Sequence, residues 1–538
     1  MASSLNLVPL PEELMARYRR EGLLVTHSLS RVLARVAEPW PWLPAVKQGD
    51  RQLSYGDVGR LVQRAAAYLR EAGVRQGDVV CWQVPNWWES YIVALAIWQL
   101  GAVSAPIAPI YREHELRQIL DQLAPSAVIA AGSHRSSNNA EVLADLVADL
   151  NIPLAARIVV RGSQPGWVDF ETVMTHSGFL APVDTDAEAP AAVLYTSGTS
   201  SAPKGVILTA RAMLADCACV IRTWGLGWSD AGYMPATMGH VTGLLLGVLT
   251  PAMCGAQTVL ADGWEPGQAA REMAASNVTF SGGATVFLRE LTEAVREQGG
   301  APLSIKHYTC GGAAVPPEVM TAAEELGIPA FRCYGMTENS SVTFGNRTYP
   351  FETRALTDGP VAQGVDVKIV DLDGRALESG QDGEILVRGP ERMSGYVDAS
   401  ANEDALDAEG WFHTGDVGRL SQDRFLTVTG RLKEIINRGG EKFSALEIED
   451  LLRKHRSVRD AAVVGAPDAR FGEVPAAFVV AEESIAVDDI SALLADLGLA
   501  KQKIPVHWRF VSALPVTASG KIKKSELVQR LAAEIHRP

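Results

Sequence analysis

The chain has 538 residues, with 49 basic and 63 acidic side chains and a formal charge of −14. At roughly 150 residues per domain this length predicts about three or four structural units. Apolar residues at 47% and charged residues at 21% argue against disorder, and the negative charge repels phosphate backbones and argues against nucleic acid as a partner. The start, Met1-Ala-Ser-Ser-Leu-Asn, lacks a basic stretch followed by an apolar one, so no signal peptide is expected and a cytoplasmic location is. The apolar stretch Tyr91–Ile110 is interrupted by Pro106 and Pro109, and Val241–Ala261 by Gly243, Gly247, Pro251 and Gly255. Each predicts a buried helix followed by a buried strand, without stable membrane insertion. Cys217 and Cys219 lie two apart on a predicted helix and face different ways. None of the six cysteines has a paired metal spacing, so they are expected to be small buried thiols.

Through the first four fifths of the chain, β-branched runs alternate with Ala/Leu-rich helical patterns. This predicts an α/β protein with mixed sheets covered by helices. One unit is clear: a strand over Ser304–Thr309, a turn at Gly311-Gly312, a helix opened by Pro316-Pro317 and running to about Leu326, and a strand over Pro329–Cys333. Ligands of such crossovers collect at the carboxyl ends of the strands, which here carry Gly311-Gly312-Ala313 and Tyr334-Gly335-Met336-Thr337-Glu338. Beyond about residue 375 the texture changes to short strands and glycine turns. After Arg431 a small α+β unit is predicted: a capping box at Ser444-Ala-Leu-Glu447 opening a helix to about Lys454, strands near Ala461–Gly465 and Ala476–Ala481, and helices from Asp489 and Ser525. The expected domains are 1–430 and a mobile lid over 431–538.

The strongest local signal is Tyr195-Thr-Ser-Gly-Thr-Ser-Ser-Ala-Pro-Lys204-Gly205, between apolar strands Ala191–Leu194 and Val206–Leu208. Hydroxyls, glycines and a lysine make a donor-rich loop suited to a polyphosphate. It is not a Walker loop, because Pro203 precedes the lysine and Gly205 follows it. Taken alone, it also fits a solvated Ser/Gly turn.

With this loop come Tyr334-Gly-Met-Thr-Glu338, Gly383-Glu384 with Arg388-Gly389, Trp411-Phe-His-Thr-Gly-Asp416, Gly430-Arg-Leu-Lys-Glu434, Arg438-Gly-Gly-Glu-Lys442 and Pro515-Val-Thr-Ala-Ser-Gly-Lys521. In this order, over nearly the whole chain, the set resembles the adenylate-forming superfamily of acyl-CoA ligases, 4-coumarate–CoA ligases, adenylation domains and firefly luciferase. The resemblance implies a large N-terminal domain and a small mobile C-terminal one. It also implies a two-step reaction in which a carboxylate attacks the ATP α-phosphate, giving an acyl-adenylate and pyrophosphate, and a thiol then displaces AMP.

It further implies ATP, Mg²⁺ and coenzyme A as ligands. Thr196, Ser197, Gly198, Thr199 and Lys204 would hold the β- and γ-phosphates, Thr337 the α-phosphate, and Glu338 the Mg²⁺, an oxygen-seeking cation. Asp416 would accept the ribose hydroxyls beside Arg431. Gly311, Gly312 and Ala313, with Cys333, Tyr334, Gly335 and Met336, would seat the adenine. Lys521 would orient the carboxylate and stabilise charge at the α-phosphate. A rotation about Lys433 would replace Lys521 by the loop of Arg438, Gly439, Gly440 and Lys442, which meets CoA. His240, in Met238-Gly-His-Val-Thr-Gly243, matches the histidine bordering the acyl carboxylate and thiol entrance. The acyl pocket would take His240, Gly243, Gly311, Met336 and Asn339.

Three departures stand out. The usual Thr-Thr-Gly is Thr199-Ser200-Ser201, the polar residue after the next strand is Ala210, and His240 follows Pro235 two residues later than is common. A weaker phosphate grip would slow adenylation and spare thioester formation. The segments at His240 and at Asp262-Gly-Trp-Glu-Pro266 look like those of ligases for fatty, alicyclic or terpenoid acids. The expected activity is therefore acyl-CoA ligation of a hydrophobic carboxylic acid. The alternatives are an enzyme using preformed acyl-adenylate, a ligase loading an acyl-carrier protein, a luciferase-like oxygenase and a non-catalytic nucleotide binder. A homodimer is compatible with all of these.

Overall fold

The computed structural model describes the chain except residues 1–4, 135–136, 197–202, 314, 372, 439–440, 469, 517–521 and 536–538; of Ser137, Lys442 and residues 532–535 it describes the backbone alone. The chain divides into two compact units, one of residues 1–366 with 387–412 and one of 367–386 with 413–538. The expected boundary at 430/431 falls inside the second unit, because the strands Gly383–Arg388, Phe412–Leu420 and Leu426–Arg431 belong to one sheet.

The first unit contains two seven-stranded sheets among its described residues. One runs in the order Ala330–Cys333, His307–Gly311, Phe280–Gly283, Ala231–Tyr233, Gln257–Val259, Pro44–Gln48 and Arg51–Ser54, parallel except for the last pair. The other runs Lys204–Thr209, Pro190–Thr196, Val103–Pro106, Val79–Gln83, Ala127–Ala131, Ala156–Val160 and Val168–Asp169, parallel except for its first pair. Strands buried on both faces need continuous apolar runs, and Val79–Gln83 and Ala127–Ala131 are buried at every position.

The apolar stretch at 91–110 forms the helix Trp88–Gln99 and the strand Val103–Pro106, as its sequence predicts. All twelve helix residues are buried, so the helix has no solvent face and its polar groups need internal partners. Glu89 takes Arg161 at 2.7 Å, the Ser90 hydroxyl donates to the Trp87 carbonyl, and Gln99 Nε2 donates to the Leu180 carbonyl. The stretch at 241–261 forms the helices Val241–Leu244 and Thr250–Cys254 about a wide π turn, then the strand Gln257–Val259. No helix among the described residues is long and apolar enough to cross a membrane. Cys81, Cys217, Cys219 and Cys310 are buried free thiols, while Cys254 and Cys333 are partly exposed.

The second unit has a four-stranded sheet of Asp366–Val370, Gly383–Arg388, Phe412–Leu420 and Leu426–Arg431, and a five-stranded sheet built on the long hairpin Val458–Asp468 and Gly472–Ala481. The helices fall at Ala445–Leu452, Val487–Asp496 and Lys524–Ile535, close to expectation. One local detail differs. The Ser444 hydroxyl accepts from the Leu446 N–H, but the expected capping box is incomplete, because the Glu447 carboxylate takes the Lys503 ammonium at 2.7 Å instead of turning back to the cap.

Candidate active site

In the first unit the predicted residues gather at strand ends. Thr196 and Lys204 are register partners closing the antiparallel pair Pro190–Thr196 and Lys204–Thr209, so the ends of the glycine loop are held together. Ser197, Gly198 and Thr199, with Ser200 and Ser201, lie outside the described residues. Ala210 opens the helix Ala210–Trp224, where the Thr209 hydroxyl accepts from the Ala212 N–H.

In the other sheet, Gly311 and Cys333 are register partners at the carboxyl ends of adjacent parallel strands. A Cβ on Gly311 would lie 2.5 Å from the Cys333 carbonyl oxygen, so only glycine fits. Gly312 has φ +79, and it and Ala313 are exposed. Although Cys333 as a residue is partly exposed, its thiol is desolvated, which pushes it up to about 11 and keeps it protonated.

The strand Ala330–Cys333 runs directly into Tyr334-Gly335-Met336-Thr337-Glu338. The Tyr334 N–H donates to Thr343 Oγ1 at 2.8 Å, and the Thr343 N–H returns a bond to the Tyr334 carbonyl at 3.0 Å. A Cβ on Gly335 would run into the Ser340 carbonyl. Met336 and Asn339 exchange two backbone bonds, at 3.1 and 3.2 Å, which places Thr337 and Glu338 at the tip of a two-residue turn. Thr337 is buried, and Glu338 keeps partial access to solvent. Asn339 is wholly buried, with Nδ2 donating to Glu391 Oε1 at 3.5 Å.

One tyrosine connects these parts, and sequence reasoning missed it. The Tyr396 hydroxyl donates to Glu338 Oε1 at 2.8 Å, and its ring centroid lies 5.0 Å from Lys204 Nζ. Behind the turn, Asp216 and Glu391 are buried with Arg211 and Arg392. Burial first, then mutual repulsion, raises the Glu391 carboxyl to about 8, and burial raises Asp216 to about 6. A cue existed in Glu391-Arg392 breaking the apolar texture just before Met393-Ser-Gly-Tyr396, but its meaning depends on partners far away in sequence. His240 precedes the short helix Val241–Leu244, its Nδ1 accepting from the Thr242 N–H at 3.3 Å. Gly243 is buried against Ala236 and Thr237, where a side chain would strike backbone carbonyls.

The second unit carries its own set. Asp416 and Arg431 are register partners of the antiparallel pair Phe412–Leu420 and Leu426–Arg431, with Nε 2.6 Å from Oδ1. Lys433 is exposed in the short turn Leu432–Glu434. Arg438 donates to the Gln502 carbonyl at 2.5 Å and stacks 5.0 Å over the Phe471 ring. Gly439, Gly440 and Lys521 lie outside the described residues, as does the side chain of Lys442. The base of the loop bearing Lys521 is pinned by the bridge Val516–Ile522 and by the Lys523 N–H on the Pro515 carbonyl. Lys524 is enclosed between Glu434 at 2.6 Å and Glu449 at 2.8 Å.

No cluster of three or more His, Cys, Asp or Glu among the described residues could hold a metal by itself. The lone Glu338 carboxylate still fits Mg²⁺, which takes one or two carboxylates and completes its shell from phosphate and water.

The pattern for AMP-binding enzymes matches residues 33–397, and that for the AMP-binding enzyme C-terminal domain matches 447–521. The chain is 32% identical to a medium-chain fatty-acid–CoA ligase of Escherichia coli (strain K12), over 97% of this chain and 94% of the relative. It is 29% identical to the salicyl-AMP ligase/salicyl-S-ArCP synthetase of Mycobacterium tuberculosis, over 98% of this chain and 94% of that one. Among solved structures, the Bacillus subtilis o-succinylbenzoate CoA synthetase in complex with its acyl-adenylate intermediate is similar with a TM-score of 0.81 and 25% identity, covering 92% of this chain and 97% of that one.

Proposed function

The chain belongs to the AMP-binding enzymes and is an ATP-dependent acid–CoA ligase of the adenylate-forming superfamily; from that premise we propose that its acid is hydrophobic, of fatty, alicyclic or terpenoid type. The end-to-end likeness to a medium-chain fatty-acid–CoA ligase supports this reading, as do the buried Val241, Gly243 and Leu244 that follow His240. The single observation carrying the chemistry is the Thr337–Glu338 turn tied through Tyr396 to Lys204. It couples a carboxylate and a cation, the two groups that a metal-bound triphosphate needs.

In this proposal Thr196 and Lys204 grip the outer phosphates. Thr337 donates to the α-phosphate, and Glu338 offers carboxylate oxygens to Mg²⁺. When bound, Mg²⁺ neutralises phosphate charge as the acid carboxylate approaches. Gly311, Gly312, Ala313 and Tyr334 supply a flat bed for adenine. Asp416 accepts from the ribose, its orientation fixed by Arg431. His240, with Nδ1 already accepting a backbone bond, presents Nε2–H toward acid and thiol. Lys521 serves adenylation, Lys433 is the pivot between half-reactions, and the Arg438–Lys442 loop serves thioester formation.

The test is a panel of carboxylic acids with ATP, Mg²⁺ and CoA, read by mass spectrometry. Hydrophobic acyl-CoA with AMP and pyrophosphate is expected, and turnover of short polar or dicarboxylic acids alone overturns the substrate class. A second reading, loading of a carrier protein, is favoured by the likeness to the salicyl-S-ArCP synthetase; replacing CoA with holo-carrier protein separates the two. Ser200 and Ser201 in the phosphate loop motivate a third, thioester formation from preformed acyl-adenylate, which brisk ATP–pyrophosphate exchange with free acid disposes of.

A further inference from the structure

The segment 393–397 lies between two parts of the candidate site and is bonded to both. On one flank the Ser394 N–H donates to the Ile207 carbonyl at 2.9 Å, the Ile207 N–H to the Gly395 carbonyl at 2.9 Å, and the Val397 N–H to the Gly205 carbonyl at 2.8 Å. These bonds hold it to the strand that leaves the glycine loop. On the other flank the Met393 N–H donates to the Glu338 carbonyl at 2.8 Å. Asn402 Oδ1 accepts from the Tyr396 N–H at 2.8 Å. Tyr396, only 4% exposed, therefore has little freedom to turn.

We propose that Tyr396 is a positioning residue for the metal–triphosphate complex: its hydroxyl sets the Glu338 carboxylate and its ring face sets the Lys204 ammonium. This rests on the reading that Glu338 and Lys204 serve a metal-bound nucleotide. A carboxylate has two oxygens; the phenol engages Oε1, and among the described residues no other side chain takes Oε2, which is left for an oxygen-seeking cation. In the structure the phenol is the donor to Oε1, and the Tyr396 N–H bond to Asn402 Oδ1 keeps it there. The ring attracts the ammonium without adding a counter-charge to the one that Asp398 already supplies. A carboxylate in its place would also orient the lysine, but it would cancel more of its charge and repel the nucleotide.

Binding measurements on the full chain test this apart from turnover. ATP affinity is measured by calorimetry in EDTA, and Mn²⁺ affinity in the presence of ATP by the paramagnetic resonance of free Mn²⁺. Tyr396→Phe keeps the ring and removes the donor, so ATP binding in EDTA should stay within about twofold, while Mn²⁺ affinity falls about tenfold or more, the loss expected for a hydrogen bond to a charged group. Tyr396→Leu should also weaken metal-free ATP binding by roughly threefold or more, as the cation–π contact goes. Adding Tyr396→Phe to Glu338→Gln should give little further loss of Mn²⁺ affinity, because the two act through one carboxylate. Wild-type Mn²⁺ affinity in Tyr396→Phe overturns the proposal. So does an equal loss of metal-free ATP binding in Phe and Leu variants of unchanged melting temperature, which marks a packing role. Failure of the unsubstituted protein to bind ATP at all instead refutes the underlying site assignment.

Discussion

A single methyl group at Gly311 should separate the architecture of the site from its chemistry. In Gly311→Ala the new Cβ would stand 2.5 Å from the Cys333 carbonyl oxygen, 2.7 Å from its Sγ and 3.3 Å from its carbonyl carbon. The sulfur can swing away, but the carbonyl belongs to the backbone that leads into Tyr334. A tolerable carbon–oxygen approach is about 3.3–3.6 Å, so one strand end must move by roughly 1 Å. A misplacement of about 1 Å at a reacting centre costs on the order of a hundredfold in rate, about 2.7 kcal/mol. Adenylation followed by ATP–pyrophosphate exchange should therefore fall by about that factor, with ATP KM raised as the adenine bed shifts. Gly327→Ala is the companion: Gly327 has φ +70 with nothing within 4 Å of the added carbon, so it should lose about 1–2 kcal/mol of stability and keep its exchange rate. Exchange within about threefold of wild type in Gly311→Ala, at unchanged ATP KM, would refute the placement of this strand end at the reaction, where about a hundredfold is expected.

Other outcomes follow from charge and register. Glu391 and Asp216 have carboxyls raised by burial to about 8 and about 6, so the folded chain holds protons that the unfolded chain releases. Their stabilising contribution is complete below the ordinary carboxylate range and is lost as pH rises through 6 to 8; melting temperatures should fall from pH 5 to pH 9, and Glu391→Gln should flatten that slope. Asp416→Ala should raise ATP KM about tenfold, and 2′-deoxy-ATP, expected to be a poorer substrate than ATP for the unsubstituted chain in exchange assays, should lose that disadvantage in the variant. Lys521→Ala should lower adenylation by about a hundredfold or more, while thioester formation from synthetic acyl-adenylate persists.

The sequence discloses what is local and repetitive. Pro316-Pro317 opens the helix Pro317–Glu325 as expected and the following strand ends at Cys333 as expected, but the strand before it runs His307–Gly311 instead of Ser304–Thr309, so Gly311 closes the strand and does not belong to the turn. The buried helix–strand pair at 88–106 is equally plain from its continuous apolarity. Tyr396 is silent in the sequence because its partners stand 58 residues upstream, at Glu338, and 192 upstream, at Lys204. No periodicity reports such a contact. Asp216 and Glu391 are hidden for a related reason: charged residues read as surface, and only tertiary closure makes them interior. The grouping of strand Gly383–Arg388 with later strands is legible as a change of texture near residue 375, but the partners of that strand are fixed by pairing rather than by local pattern.

Lys524 has a practical bearing on how the protein is handled. Its ammonium fills the space between Glu434, in the turn that contains Lys433, and Glu449, which is 2% exposed. Among the described residues, trimming the terminal helix Lys524–Ile535 would leave Glu449 with Arg453 at 3.7 Å as its remaining close cation and strip Glu434 of its ion-pair partner. Deletions designed to isolate the last loop should therefore stop after this helix, and affinity handles at that end need a spacer beyond Ile535.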